Sequence, residues 1–337
     1  MDTPLLTAES APKRVAPSSP TFIRVVEVWV PDSEGALLTL GSAWYGAAKR
    51  FGLHSQQMCF GRGEGLPGQA WEAGHPIVLK QFEGSAFRRT QAAHAEGLTC
   101  GIALPVFNGS VLSAVVLIFC GDSPDPEHGQ AGAIELWRNT SGPSKDLLLE
   151  DGYYGATADV FEFISRRTAF RKGTGLPGLA WESGLPVFMP DLGKGGRFLR
   201  ADGAQRVGIN RGFAIPCATA GSDTYVMAFL SALATPLVRR FESWQPAANN
   251  SDGHLVRHEG FCESAGTLAM GTAAEHLHKG QGVVGRAWAS GLPLVSLKAT
   301  TEPGAVGQGA SRAGTTAVVA LPVLQGGQVV AVVAWYL

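Results

Sequence analysis

Three stretches of the chain carry glycines at a spacing that can hold phosphate: GEGLPG from Gly63, GTGLPG from Gly173 and GQGVVG from Gly280. Dinucleotide binding through Gly-x-Gly-x-x-Gly needs a buried strand before the glycines and a long helix after them, within a βαβ unit. Here the helix has room for only a few residues before Gly74 and Pro76, Gly184 and Pro186, or Gly291 and Pro293 stop it. A dinucleotide fold cannot be built on that length. The phrase is better suited to packing. Gly68, Gly178 and Gly285 open a short helix that can lie close to a sheet because a side chain is missing, and Trp71, Trp181 and Trp288 follow on the same helical face. The free amides at the helix start can still hold an anion. Arg62, Lys172 and Lys279 precede the three phrases, either as anion partners or as solvated surface charges.

Other residues offer chemistry of different kinds. The five cysteines, Cys59, Cys100, Cys120, Cys217 and Cys262, are odd in number and include no Cys-x-x-Cys, so neither a disulfide framework nor a thiolate zinc site is indicated. Cys59 and Cys100 fall in one unit and are the candidates for thiol catalysis; the alternative is that they fill space as small hydrophobes. His258, Cys262, His276 and His278, near His254 and Glu259, supply the mixed nitrogen and sulfur donors that zinc accepts. They can equally be polar residues on an edge strand. Arg88, Arg89 and His94, and then Arg197, Arg200 and Arg206, lie on two short helical segments able to cover a pocket, with Lys298 and Arg312 in the third unit. Guanidinium groups there would match a carboxylate or phosphate, or would snorkel from helices that pack through Phe87 and Phe198. No P-loop, kinase signature, His-Glu-x-x-His or helix-turn-helix pattern is present.

The elements that must position these residues come in triplicate. The glycine-tryptophan phrase travels with Glu27-x-Trp29, Glu135-x-Trp137 and Glu242-x-Trp244 upstream, and with Pro105, Pro216 and Pro322 downstream, in constant order and at similar spacing. This predicts three homologous units over residues 21–121, 122–235 and 236–337, after a flexible tail over 1–20. Apolar alternation marks strands around each Glu-x-Trp and on both sides of Asn108–Gly109 and Gly326–Gly327, which are tight-turn signals. The second unit substitutes a longer loop. A short helix is expected in the first two units and a weak or absent one in the third, whose segment EPGAVGQGASRAG is rich in glycine. The linkers carry prolines and too few residues for a rigid helix, although Pro236 could begin a helical turn. The expected class is α+β, with a five- or six-stranded antiparallel sheet in each unit.

With 45% hydrophobic and 16% charged residues, the 337-residue chain has a globular composition, and its formal charge of -1 gives no pull toward nucleic acid. No apolar run is long enough for a membrane span, and a cytoplasmic protein is the expectation.

The pattern Gly-x-Gly-x-x-Gly-x-x-Trp-x-x-Gly-x-Pro, followed by a helix and GI…LPV…G…VV, resembles the GAF domain family, repeated in tandem over nearly the whole chain. The resemblance implies three PAS-like α+β modules. Its members bind cyclic nucleotides, bilins, haem or small metabolites, or serve only to dimerise. It therefore implies a sensory, regulatory or scaffold protein whose partner is a small metabolite or another protein, as a possible homo-oligomer or complex subunit, with the cofactor unknown. Free methionine sulfoxide reductases share the fold and use several cysteines, which keeps a redox enzyme built on Cys59 and Cys100 as the alternative. The long flanking helices usual in the family are missing or short here. One face of each sheet thus needs cover, from the neighbouring modules or from a partner protein.

Overall fold

The computed structural model describes residues 21–121, 131–140, 146–232, 235–247, 253–272 and 275–337. The tail expected over 1–20 and most of the first linker lie outside the described residues.

Each unit is an antiparallel sheet with short helices on one face. The first contains β1 (Ile23–Pro31), β2 (Leu37–Trp44), α1 (Lys49–Ser55), β3 (Cys59–Gly61), α2 (Gly65–Ala73), β4 (Ile77–Leu79), α3 (Thr90–Ala95), β5 (Leu98–Asn108) and β6 (Val111–Gly121). The second contains β7 (Ala131–Asn139), β8 (Asp146–Gly155), a π-helical turn (Ala158–Glu162), α4 (Phe163–Ser165), β9 (Ala169–Arg171), α5 (Gly175–Ser183), β10 (Val187–Met189), α6 (Ala201–Arg206), β11 (Ile209–Cys217) and β12 (Thr224–Ala232). The third contains β13 (Arg240–Pro246), β14 (His254–Cys262), β15 (Gly266–Thr267), β16 (Leu277–His278), α7 (Gly282–Ser290), β17 (Leu294–Ser296), a 3-10 turn (Ala299–Thr301), α8 (Ala305–Ala313), β18 (Val318–Gln325) and β19 (Gln328–Tyr336).

Strand order repeats as well. The first sheet runs β3-β2-β1-β6-β5-β4, the second β9-β8-β7-β12-β11-β10, and the third β15-β14-β13-β19-β18-β17 with β16 also paired to β14. All pairings are antiparallel. The third sheet thus has seven strands, because its outer edge is split into two short pieces. In all three units the first strand breaks register at the tryptophan: between Val28 and Trp29, Leu136 and Trp137, and Ser243 and Trp244.

The glycine phrase builds the same turn three times. Gly63 N, Gly173 N and Gly280 N donate to the carbonyls of Gly68, Gly178 and Gly285 at 2.8, 2.8 and 2.9 Å. A Cβ on Gly68 would sit 2.1 Å from the Gly61 carbonyl oxygen, one on Gly178 2.2 Å from that of Arg171, and one on Gly285 2.3 Å from that of His278. No side chain fits there, so the third glycine of each phrase is set by backbone approach.

Two expectations need correction. The third unit's helix is neither weak nor absent: α8 spans nine residues, whereas α3 and α6 span six. Its glycines are there for clearance. A Cβ on Gly307 would meet the Glu302 carbonyl oxygen at 2.1 Å, and one on Gly309 would lie 2.9 Å from Arg240 Nε. Close packing against the sheet supplies what the helix lacks in propensity. Pro236 starts no helical turn; its carbonyl accepts a hydrogen bond from Phe22 N at 2.8 Å, which ties the start of the first unit to the lead into the third.

The helix side of each sheet holds a core of its own, around Trp29, Trp137 or Trp244. The opposite faces share a fourth core. Ile102, Ile118, Leu136, Met227, Phe229, Phe241, Val319 and Trp335, from all three units, belong to it. The neighbouring modules are therefore the cover for the exposed sheet faces.

Edge contacts link the units in a closed cycle. Beyond β4, Lys80 Nζ lies 2.7 Å from Asp151 of β8. Phe188 N of β10 donates to the Glu259 carboxylate of β14 at 3.1 Å. Val295 N of β17 donates to Ser42 Oγ of β2 at 3.2 Å, which returns to the first unit.

Replacing Gly178 by alanine should lower stability by about 1–3 kcal/mol, the usual cost of overpacking. Urea unfolding of G178A beside a substitution at the open, surface position Gly221 checks this; equal midpoints would show that the turn yields freely.

Candidate functional site

Between sheet and helices, each unit places an acid of its own. Glu27, Glu135 and Glu242 are fully buried. Each lies two residues before a fully buried tryptophan, and the register break brings the indole back to the carboxylate. The N–H groups of Trp29, Trp137 and Trp244 donate to Oε2 of these acids at 2.9, 3.1 and 3.1 Å.

An arginine completes each cluster. Arg89 Nη1 donates to Glu27 Oε1 at 2.6 Å and also reaches Ser55 Oγ. Its Cζ stands 4.5–5.9 Å from the ring centroids of Phe51, Phe87, Phe119, Trp29 and Phe60, so a cation–π cage surrounds the part of the guanidinium that faces no oxygen. Arg200 grips Glu135 with two nitrogens, Nη2 to Oε2 being 2.8 Å, and Ser165 Oγ and Tyr154 Oη donate to Glu135 Oε1 at 2.7 and 3.1 Å. Burial, followed by the Glu135 charge, raises the Tyr154 pKa and keeps its proton in place.

The third unit makes the same cluster from different positions. Arg240, on β13 itself, donates through Nε to Glu242 Oε1 at 2.9 Å, and Tyr336 Oη donates to Oε2 at 2.5 Å. Burial opposes the Arg240 charge, but the carboxylate more than offsets it and its pKa is raised. In the first two units the place of Arg240 is taken by Val25 and Ala133, while Val306 stands where Arg89 and Arg200 stand relative to the downstream proline. The cation has been transposed from helix to strand, and Gly309 leaves it room.

These contacts decide where the sequence-predicted residues fall. Arg89 and Arg200 point inward and are neutralised by glutamates of their own unit. Arg88 pairs with Glu64 at the surface, and His94 Nδ1 lies 3.0 Å from Glu83. Arg197 and Arg206 are exposed, as are Lys298 and Arg312. The six positions proposed for ligand binding therefore do not converge on one internal site. Arg88 lines an open dish of about 480 Å³, with Arg62 and Gly63 to Gly65. Of the motif tryptophans, Trp71 and Trp181 are half-buried against their cores, and Trp288, 8% exposed, is the most enclosed.

The cysteine alternative is not supported. Cys59 is exposed on the edge strand β3, whereas Cys100 is buried on β5, across the sheet and in the shared core. Burial raises the Cys100 thiol well above its usual range. The metal alternative also lacks a centre: among the described residues no group of three or more His, Cys, Asp and Glu side chains is arranged to hold an ion. Cys262 is buried beside Ser264, while His258 is exposed. His276 instead stacks on His254, with ring centroids 3.9 Å apart.

The glutamates, together with Ser55, Ser165, Tyr154, Tyr336 and Arg240, were not foreseen as a site. Recurrence of Glu-x-Trp in all three units was the available signal, since a strand that keeps an acid at a buried position must supply it with partners.

The three units resemble GAF-like folds. Among solved structures the chain is similar to the A. aeolicus nlh2 GAF domain in an inactive state, with 26% identity over 31% of this chain and 61% of that one and a TM-score of 0.24. It is similar to fRMsr of Staphylococcus aureus in its reduced form, with 19% identity over 32% and 62% and a TM-score of 0.24. A third likeness is to S. aureus NreA protein mutated in its nitrate binding site, with 17% identity over 33% and 81% and a TM-score of 0.25. The chain spans between half and about three-fifths of the length of the first such structures. No family model matches the sequence, and no curated protein does. Among the described residues no helix is long and apolar enough to cross a membrane.

Removing one partner of a buried pair leaves an uncompensated charge, so Glu135→Gln and Arg200→Met should each cost about 3–5 kcal/mol in urea unfolding, with the double variant E135L/R200M losing less than their sum. Transposition gives a sharper check. Val25→Arg combined with Arg89→Val copies the third unit's arrangement, and the double variant should be more stable than R89V alone. Trp29→Ala should cost about 3–5 kcal/mol, and the half-buried Trp71→Ala less.

Proposed function

We propose that the chain is a non-catalytic scaffold or regulatory protein that acts through its outer surfaces on a partner protein. The observation that supports this is the filling of all three inner spaces by the Glu–Trp–Arg clusters. Each cluster satisfies its own charge, so none needs a ligand to neutralise it, and aromatic rings close in around Arg89 and Arg200. The cavity where Pro105, Pro216 and Pro322 meet is about 20 Å³, at most the space of a single water. Cys100 and its cross-strand partner Cys120 are both buried, which leaves thiol chemistry no accessible pair there, and a cytoplasmic setting is part of the same proposal.

A small-molecule reading draws on an open dish of about 500 Å³ beside Glu302 and Arg312, and on the open dish beside Arg62 and Arg88, which would suit an anion. Glu64 already pairs with Arg88 there, and this favours the partner-protein reading.

Native mass spectrometry of the gently purified full chain should give the mass of the polypeptide, alone or as an oligomer, with no stoichiometric small molecule. Retention of one, or metabolite turnover lost specifically in C59S or C100S, would overturn the proposal.

A further inference from the structure

The chain has sixteen phenylalanines, and Phe163 is the one that is exposed, at 58%. It stands at the start of α4, directly after the π-helical turn, a distortion that recurs at functional sites. Val160, within the π-helical turn, is 48% exposed, and Leu199, just ahead of α6, is 53% exposed. The two helical segments are held together from beneath. Gly203 of α6 lies against Ile164, where a Cβ would come within 2.5 Å of the isoleucine Cδ1, and Arg200 reaches Ser165. Three exposed apolar side chains thus sit on two segments that share a fixed base, and together they make an apolar seam.

The seam is flanked by cations. The Arg167 guanidinium lies 3.6 Å from the Phe163 ring centroid, and among the described residues no carboxylate pairs with it, nor with Arg197 or Arg206. Arg166 differs, being engaged by Glu162. Aligned on Ser55 and Ser165, the first unit has Leu53 and Gln57 in place of Phe163 and Arg167, and among the described residues the third has no α-helix between β14 and β16. The aromatic-guanidinium pair thus belongs to the second unit alone. It is not needed for the internal cluster, which the first unit builds without it.

We infer that this face of the second unit docks an acidic, amphipathic segment of a partner protein. Apolar side chains at helical spacing would enter the seam around Phe163, Val160 and Leu199, and carboxylates would take the unpaired guanidinium groups by charge-assisted bonds. Exposed aromatic and arginine side chains are the types enriched where proteins meet. The inference rests on the scaffold reading above and gives it a partner chemistry.

The test uses the full chain and fluorescein-labelled helical peptides with Leu and Phe along one face and Glu on its flanks, beside twins in which every Glu is Lys. Fluorescence anisotropy should show binding of the acidic peptides and not of the twins. Phe163→Ala and Arg167→Glu should each weaken binding by about tenfold or more, raised salt should weaken it further, and Leu53→Ala should leave it unchanged. Both substitutions are at exposed positions, and unfolding midpoints equal to wild type would show that the fold is retained. Failure of every acidic peptide to bind, or equal binding by F163A, overturns the inference. So does co-sedimentation with phosphatidylserine vesicles that F163A abolishes, which would point to a lipid surface, or self-association lost in F163A, which would point to a second copy. None of these outcomes touches the scaffold reading, which fails instead on a retained small molecule or on turnover.

Discussion

A carboxylate taken out of water loses hydration that only close partners replace, and each unit takes one out at Glu27, Glu135 or Glu242. Its indole, guanidinium and hydroxyl neighbours must converge from separate elements: the indole from the same strand after a register break, the arginine from a helix or a strand, the hydroxyl from a helix, a neighbouring strand or the last strand. Such a cluster fixes the distance between helices and sheet more strictly than apolar packing does. Oily side chains tolerate repacking, whereas a buried charge tolerates no missing partner. The register break, the seat of Arg89 and Arg200, and the clearance at Gly309 can all be understood as service to that acid.

The transposed arginine shows what is held constant. Between units, the position of the cation changes, the hydroxyls on the acid change from Ser165 and Tyr154 in the second to Tyr336 in the third, and among the described residues the α-helix ahead of the glycine phrase is missing from the third. The acid and the tryptophan do not change. A binding site for an outside molecule would constrain the groups that face the molecule. Here the groups that stay the same face each other.

Much of this was legible in the residues. Repetition of the glycine phrase and of Glu-x-Trp gave the three units, the hairpins at Asn108–Gly109 and Gly326–Gly327 were marked by turn chemistry, and the short helices were bounded by Gly74, Gly184 and Gly291. Side-chain direction was harder to see. Arg88 and Arg89 are adjacent and alike in type, yet one meets solvent and the other a buried acid, a difference set by where the helix begins. The third helix was discounted because its glycines count against it in isolation; their value lies in contact with Glu302 and Arg240, which sequence spacing does not display. Cys59 and Cys100 share a unit but sit on strands far apart in the sheet, one exposed at its edge and the other buried, a separation that only the strand order reveals.

The cycle of edge contacts has a further consequence. Three like units joined end to end by linkers might have formed an open row, in which a terminal unit could peel away after losing a single neighbour. Closure from β17 back to β2 gives every unit two neighbours, so there is no end from which fraying can begin. Because the third partner is tethered on the same chain, its local concentration does not fall on dilution. The assembly thus behaves as a trimer that cannot dissociate, while its three outer faces remain free to diverge, as the second has done at Phe163.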